Sequence, residues 1–176
     1  MKTVTKVLIV GVLFTVILGV AAVAYVKITG LSARPMPGAI ETRVARSLRR
    51  LAVPAQLRST TNPVPATQET LAGAREHFAK YCSICHANNG SGETTLGGGL
   101  FPKAPDMRAA TTQELSDGEL FYIIEYGVRF TGMAAWGDGS AKGEEVGWRL
   151  VHFIRHLPSL TPAEIAAMEQ LNPKSE

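Results

Sequence analysis

Tyr81-Cys82-Ser83-Ile84-Cys85-His86 contains both cysteines of a 176-residue chain, and the reading of the chain turns on it. On a helix, Cys82, Cys85 and His86 stand at i, i+3 and i+4, so all three side chains leave from one face. Two thiols at that spacing match the two vinyl groups on one edge of a haem macrocycle, and the residue that follows sets an imidazole beneath the iron. C-x-x-C-H is the attachment signature of c-type haem. Rival chemistries fit the surroundings less well. A thioredoxin-type dithiol wants a βαβ setting, and no stretch here alternates at period two. A Cys₂His₂ zinc site would have to recruit His152 and His156, far outside finger spacing from Cys85. A Cys82–Cys85 disulfide would close too small a loop to stabilise much, and two cysteines cannot brace a small secreted scaffold.

The chain around the motif reads as helix. Leu71, Ala74, Phe78 and Tyr81 fall on one side of a segment leading into the cysteines. Ser116-Asp117-Gly118-Glu119 is a capping box that opens a helix with a Leu120, Ile123, Ile124 stripe, ending near Gly127. Val146, Leu150, Phe153 and Leu157 define another helix, stopped by Pro158, and Thr161-Pro162-Ala163-Glu164 caps a short last one. The glycine-rich stretch from Gly90 to Gly99 and the run through Pro105 form a long loop, of the kind that more often serves function than idles. The expected fold class is all-α.

A second axial ligand would come from elsewhere in the chain. Met133 is the leading candidate, because Thr131-Gly132-Met133-Ala134-Ala135-Trp136-Gly137 is a loop whose glycines let the backbone pass close to a flat ligand. Met107 comes second, with packing on the ring edge as its alternative. Met168, His77, His152 and His156 remain further candidates, and an open site is the other reading. A histidine nitrogen with a methionine sulfur favours reduced iron and raises the potential.

Upstream, Val7 to Val26 is a 20-residue run without a charge, preceded by Lys2 and Lys6. At about 1.5 Å per residue it crosses a hydrocarbon core of roughly 30 Å. Residues 1–6 are then a cytoplasmic N-terminus and 7–26 a transmembrane anchor or uncleaved signal, with cleavage after Ala24 as the alternative. Residues 27–67 form a linker. Within it Ala39–Ala52 is a basic amphipathic helix bearing Ile40, Val44, Leu48 and Leu51, suited to anionic headgroups, to a partner subunit, or to a linker helix capping the next domain. Ser59 to Pro65 reads as an extended tether. Residues 1–60 hold nine basic side chains against Glu41 alone, and the remainder nine against fourteen acids, so the overall +3 conceals a basic front and an acidic back. The arginines after the span oppose the positive-inside rule. Haem attachment of this type takes place outside the cytoplasm, and that requirement overrides the count. A basic patch following an export signal does not point to nucleic acid.

With these residues in place, Gln68 to about Leu171 resembles a class I monohaem c-type cytochrome. Phe78 stands four before Cys82, as an aromatic does in that family at the crossing with the C-terminal helix; the glycine usual four residues earlier is here Ala74, beside Gly73. Pro105-Asp106-Met107 is similar to the family's Pro-Asn-Leu segment, and Met133-Ala134-Ala135-Trp136 to its Met-Pro-x-Trp, with Ala134 in place of proline. The resemblance implies one covalently attached haem c on Cys82 and Cys85 and iron ligation by His86 and Met133. It also implies that the Pro105 carbonyl accepts from His86 Nδ1 and that Arg129 or Trp136 contacts a propionate. The expected domain is 68–171, with 172–176 a tail. The expected role is electron transport without catalysis, as a single-pass protein of a bacterial inner membrane with its haem domain in the periplasm. Its partners would be a quinol-oxidising complex, dehydrogenase or terminal oxidase of a respiratory chain, with lipid around the N-terminal helix. The alternatives are a haem subunit of a membrane oxidoreductase complex and a haem enzyme or ligand sensor with a labile sixth ligand.

Overall fold

The computed structural model describes residues 2–173. Met1 of the expected N-terminus 1–6 and 174–176 of the expected tail 172–176 lie outside the described residues. The described residues form helices and no strand, in two units divided after Ala33. The first unit is α1, Lys2–Thr29, whose 28 residues are exposed along their whole length. It is long and apolar enough to cross a membrane, at about 42 Å for a rise of 1.5 Å per residue.

The second unit begins with α2, Ala39–Ala52, and α3, Ala55–Arg58. Then follow α4, Gln68–His77, a π turn over Phe78–Cys82, and α5, Ser83–His86. Next come α6, Thr95–Gly99; α7, Ala110–Gln113; and α8, Asp117–Tyr126. The unit ends with α9, Ala141–His156, a 3₁₀ turn over Leu157–Ser159, and α10, Pro162–Glu169. The caps read from sequence are formed. Ser116 Oγ accepts from the Glu119 amide at 3.2 Å while Glu119 returns a carboxylate to the Ser116 amide at 2.8 Å, and Thr161 and Glu164 repeat the pattern.

The core is the crossing of α4 on α9 with α8 packed alongside. Phe78 and Phe153 meet with ring centroids 5.0 Å apart, and Phe121 stacks on Trp148 at 4.1 Å. Ala74 is buried at the crossing, whereas Gly73 faces Arg149 Nη1, so alanine suffices where the family usually has glycine. Leu120, Ile124, Leu150, Phe153 and Leu157 are buried as their spacing predicts; Ile123 and Val146 are only half-buried, and Phe121 takes a core place.

Tyr81 departs from expectation, being 48% exposed. The cause is the π turn, in which the Ser83 amide bonds five residues back to the Phe78 carbonyl. One residue too many enters that turn, the register advances, and Cys82 packs against the core in the place Tyr81 would have held. The Ala79 carbonyl is met instead by the Ser83 hydroxyl at 2.7 Å.

The stretch 53–65 also differs from a tether. Val53 is buried, and Gly118 lies so close under the Leu57 carbonyl that no Cβ fits there. Asn62 Nδ2 donates to the Trp148 carbonyl at 2.8 Å, and His152 Nε2 lies 2.6 Å from the Val64 carbonyl. Extended, proline-bearing chain leaves its backbone groups open to outside partners, and here α9 meets one of them, the Val64 carbonyl, through His152, while Asn62 reaches a carbonyl of α9 in return.

Two outcomes follow from these contacts. Ser83→Ala removes the hydroxyl's bond to the Ala79 carbonyl and lowers stability by about 1 kcal/mol, read by denaturant unfolding of the haem-loaded protein. The Glu164 carboxyl is held down to about 2, first by the Thr161 amide and then by the Thr161 hydroxyl and His156. Its contribution is therefore complete above the ordinary value of 4.5 and is lost as pH falls toward about 2. Glu164→Gln is expected to be less stable than the parent by about 0.5–1 kcal/mol at pH 6, with the two unfolding curves converging near pH 2.

Candidate haem site

The site is built at the end of the α4 to α5 run. Cys82 is half-buried against the core; Cys85 and His86 are half-buried on the next turn. Both cysteines are free thiols. Burial, and then Cys85, push the Cys82 thiol up to about 12, and burial raises Cys85 too. Neither is an activated thiolate, which runs against dithiol redox chemistry. The pair His152 and His156 is engaged elsewhere, on Val64 and on Glu164 with Ser159. Among the described residues no cluster of three or more Cys, His, Asp or Glu side chains is placed to hold a metal ion.

The chain leaves α5 through Ala87 at φ 59°, a left-handed residue that turns it sharply back. The Gly92 amide bonds the His86 carbonyl at 2.9 Å, and the Thr94 hydroxyl bonds the carbonyls of Ile84 and Cys85 at 2.8 and 3.2 Å. Gly97 sits against the Cys85 carbonyl with no room for a side chain. The Met107 amide then bonds the Gly90 carbonyl at 2.8 Å, and Gln113 Nε2 bonds the carbonyls of Met107 and Ile154. This loop carries Pro105 to His86. Burial makes the His86 imidazole less basic while the Pro105 carbonyl acts in the opposite sense. The buried Nδ1 nonetheless makes no hydrogen bond of normal geometry. A neutral ring with its Nδ1 proton toward Pro105 and its Nε2 lone pair open to a metal accounts for both facts.

Met133 is half-buried in the loop between α8 and α9. Gly127, at φ 65°, closes against the Met133 and Ala134 backbone. The Met133 amide bonds Thr131 Oγ1 at 3.1 Å, and the Met133 carbonyl accepts from Val128 at 2.9 Å. Two contacts bring this loop to the motif's side of the domain. The Trp136 ring lies 6.1 Å from Tyr81, the residue before Cys82, and Gly132 packs on the Leu100 side chain. Met107 and Met168 are buried in the core, the packing alternative for each. His77 lies against Tyr81 at 4.7 Å. Arg129 is exposed and Trp136 is 45% exposed.

The residues present fit a haem. Tyr81, Ile84 and Leu96, on and around the motif, and Trp136 of the Met133 loop, all large and apolar, stand about half exposed, and Tyr126 and Phe130 on the way into that loop are more exposed still. A flat apolar group bonded to Cys82 and Cys85 would cover those around the motif, and metal bonding at Nε2 would use the nitrogen that Pro105 leaves open. Sequence reasoning missed Thr94, Gly97 and Leu100, although Thr94-x-x-Gly97 has helix-cap spacing that could have marked the first two. It also missed Glu125. That carboxyl is buried beneath Gly137 of the Met133 loop's return and pushed up by burial, then by Glu144 and Asp138.

Comparison with known proteins bears on this geometry. Residues 69–154 match the family described as Cytochrome C oxidase, cbb3-type, subunit III. No curated protein matches the chain. The matched segment takes in α4 from its second residue, the cysteine–histidine motif, the Pro105 loop, α8, the Met133 loop and nearly all of α9, so residues 69–154 are a c-type cytochrome domain, which carries covalently bound haem c.

Proposed function

We propose that the protein is a membrane-anchored electron carrier of a respiratory chain, with 68–171 as its haem domain on the periplasmic side. The observation that carries this reading is the run of Cys82, at the end of the π turn, into Cys85 and His86 on α5, with Pro105 beside His86 and the Met133 loop drawn close at Tyr81 and Leu100. Cys82 and Cys85 form the thioether bonds, His86 Nε2 and the Met133 sulfur bind iron, and the Pro105 carbonyl orients the imidazole through Nδ1. When bound, haem supplies a one-electron iron couple. The chain's own part would be to supply both His86 and Met133 to the iron, which would leave no ligand position for a substrate and suit electron transfer without bond making. Burial around His86 and of the core beneath Cys82 would keep water from a haem held there and favour the less charged, reduced iron.

Covalent attachment outside the cytoplasm supports the periplasmic side, and α1 supports the anchor. A second reading, a fixed haem subunit of a membrane oxidoreductase complex, draws on the description of the matched family. It also draws on the packing of 53–65 along the domain, which removes most of the reach a free shuttle would need.

The ligand set is testable by absorption spectroscopy of the purified full chain. The pyridine haemochrome is expected to be that of haem c, and Cys82→Ser with Cys85→Ser is expected to abolish covalent haem. The oxidised protein should show the weak near-red band of methionine-ligated ferric haem and, when reduced, should not bind carbon monoxide. Met133→Ala is expected to lose the band, gain carbon monoxide binding and shift to a lower potential. Retention of the band in that variant would falsify the assignment of Met133.

A further inference from the structure

Helix α2 has an apolar stripe that none of the described residues buries. Ile40, Val44, Leu48 and Leu51 are between 52% and 82% exposed, and no residue of α2 is buried. The less exposed positions, Thr42 and Arg49, together with buried Val53 just past its end, lie on the opposite side of the helix. Arg50 on that flank reaches the Glu119 carboxylate at 3.6 Å. The stripe therefore faces away from the domain. A 14-residue helix is marginal in water by itself and owes its stability to a covered apolar face.

Two facts select the cover. First, only nine residues, 30–38, separate the end of apolar α1 at Thr29 from the start of α2 at Ala39, and such a stretch reaches at most about 30 Å. Any membrane that α1 crosses is thus within reach of α2. Second, the polar positions bordering and opposing the stripe carry Arg43, Arg46, Arg49 and Arg50 against Glu41, which caps the Gly38 amide at 3.3 Å. Arginines beside an apolar face suit anionic headgroups.

We propose that α2 lies flat on the anionic lipid surface of the membrane that α1 spans, with Ile40, Val44, Leu48 and Leu51 in the headgroup–acyl boundary. The chain from Val53 to Val64 is packed on the domain, so this contact holds the haem domain at the bilayer and confines its electron exchange to partners there. The proposal rests on reading α1 as a membrane anchor, and its test separates the two.

The haem-loaded full chain, in its oxidised form and free of reductant, carries a nitroxide on Leu48→Cys or, in a second preparation, on Val12→Cys. Each is reconstituted into vesicles of phosphatidylglycerol with phosphatidylethanolamine, or of phosphatidylcholine alone. Electron paramagnetic resonance then measures exposure of the label to oxygen dissolved in lipid and to a nickel chelate dissolved in water. The Leu48 label is expected to lose exposure to the chelate several-fold in the anionic vesicles relative to phosphatidylcholine, and to regain it with Arg43→Gln and Arg46→Gln together. The Val12 label should read lipid in both. A Leu48 label open to the chelate in anionic vesicles, with Val12 in lipid, overturns the proposal and leaves the anchor standing. A Val12 label open to the chelate removes the anchor and the proposal with it. A Leu48 label shielded from both reagents even in detergent means that a second copy of the chain covers the stripe, which also overturns it.

Discussion

Three side chains must leave one helical face while the helix behind them stays packed on α9, and the domain is arranged to satisfy both demands. An unbroken α-helix from Gln68 to His86 would turn Tyr81 toward the core, leaving Cys82 a step out of place. The π turn over Phe78–Cys82 changes that by one residue. Phe78 stays against Phe153, Tyr81 swings outward to Trp136, and Cys82 comes in beside the core. A π turn in isolation is unfavourable, since it lengthens a hydrogen-bonded ring and strands a carbonyl. Ser83, the first residue between the cysteines, resolves this with its hydroxyl on Ala79. The intervening residues of a C-x-x-C-H motif thus have local work to do, and here one of them secures the register that aims the other three.

The electrostatics of the site follow from the same burial. A thiol pushed up to about 12 is a poor nucleophile and a poor free metal ligand, but thioether formation removes the titratable proton altogether, and burial then carries no penalty. His86 is handled alike. Burial favours its neutral form, the only form with a lone pair to give, while the Pro105 carbonyl offers a partner to the Nδ1 proton. The loop that delivers Pro105 is fixed mainly through backbone groups, Gly92 to His86, Met107 to Gly90 and Ala104 to Gly97. Its glycines are needed where that backbone closes on the Cys85 carbonyl and on Ala104, which only a residue without Cβ permits.

Much of this was legible in the sequence, for identifiable reasons. C-x-x-C-H, the Ser116 and Thr161 capping boxes and the stripe of α9 are short-range patterns whose partners lie within one or two turns. The bounds of α2 came out as Ala39–Ala52 because prolines flank it and its stripe is regular. What escaped depended on partners distant in sequence or on register. The π turn has no compositional mark. The docking of 53–65 relies on Asn62 meeting a carbonyl of α9 and on Leu57 meeting Gly118, pairings that nothing local encodes. The loop from Gly90 to Gly99 reads as functional, but the roles of Thr94 and Gly97 within it do not, because their partner is the back of α5.

The charge split acquires a mechanical sense once the contacts of 39–65 are weighed. The ion pair between Arg50 and Glu119 is a weak hold, because Arg50 is 70% exposed and the pair is separated by 3.6 Å; pairs of this kind contribute about 0–1 kcal/mol. Burial of Val53, the seat of Leu57 on the N-terminus of α8 and the bonds of Asn62 and His152 are stronger, and they begin only where α2 ends. The chain from 53 onward is thus part of the domain, while α2 is joined to it chiefly through the Val53-Pro54 corner. A helix held at one end adapts its angle to whatever surface covers its apolar face. The basic segment can settle on that surface without straining the acidic domain behind it, where the haem edge must stay open to its partners.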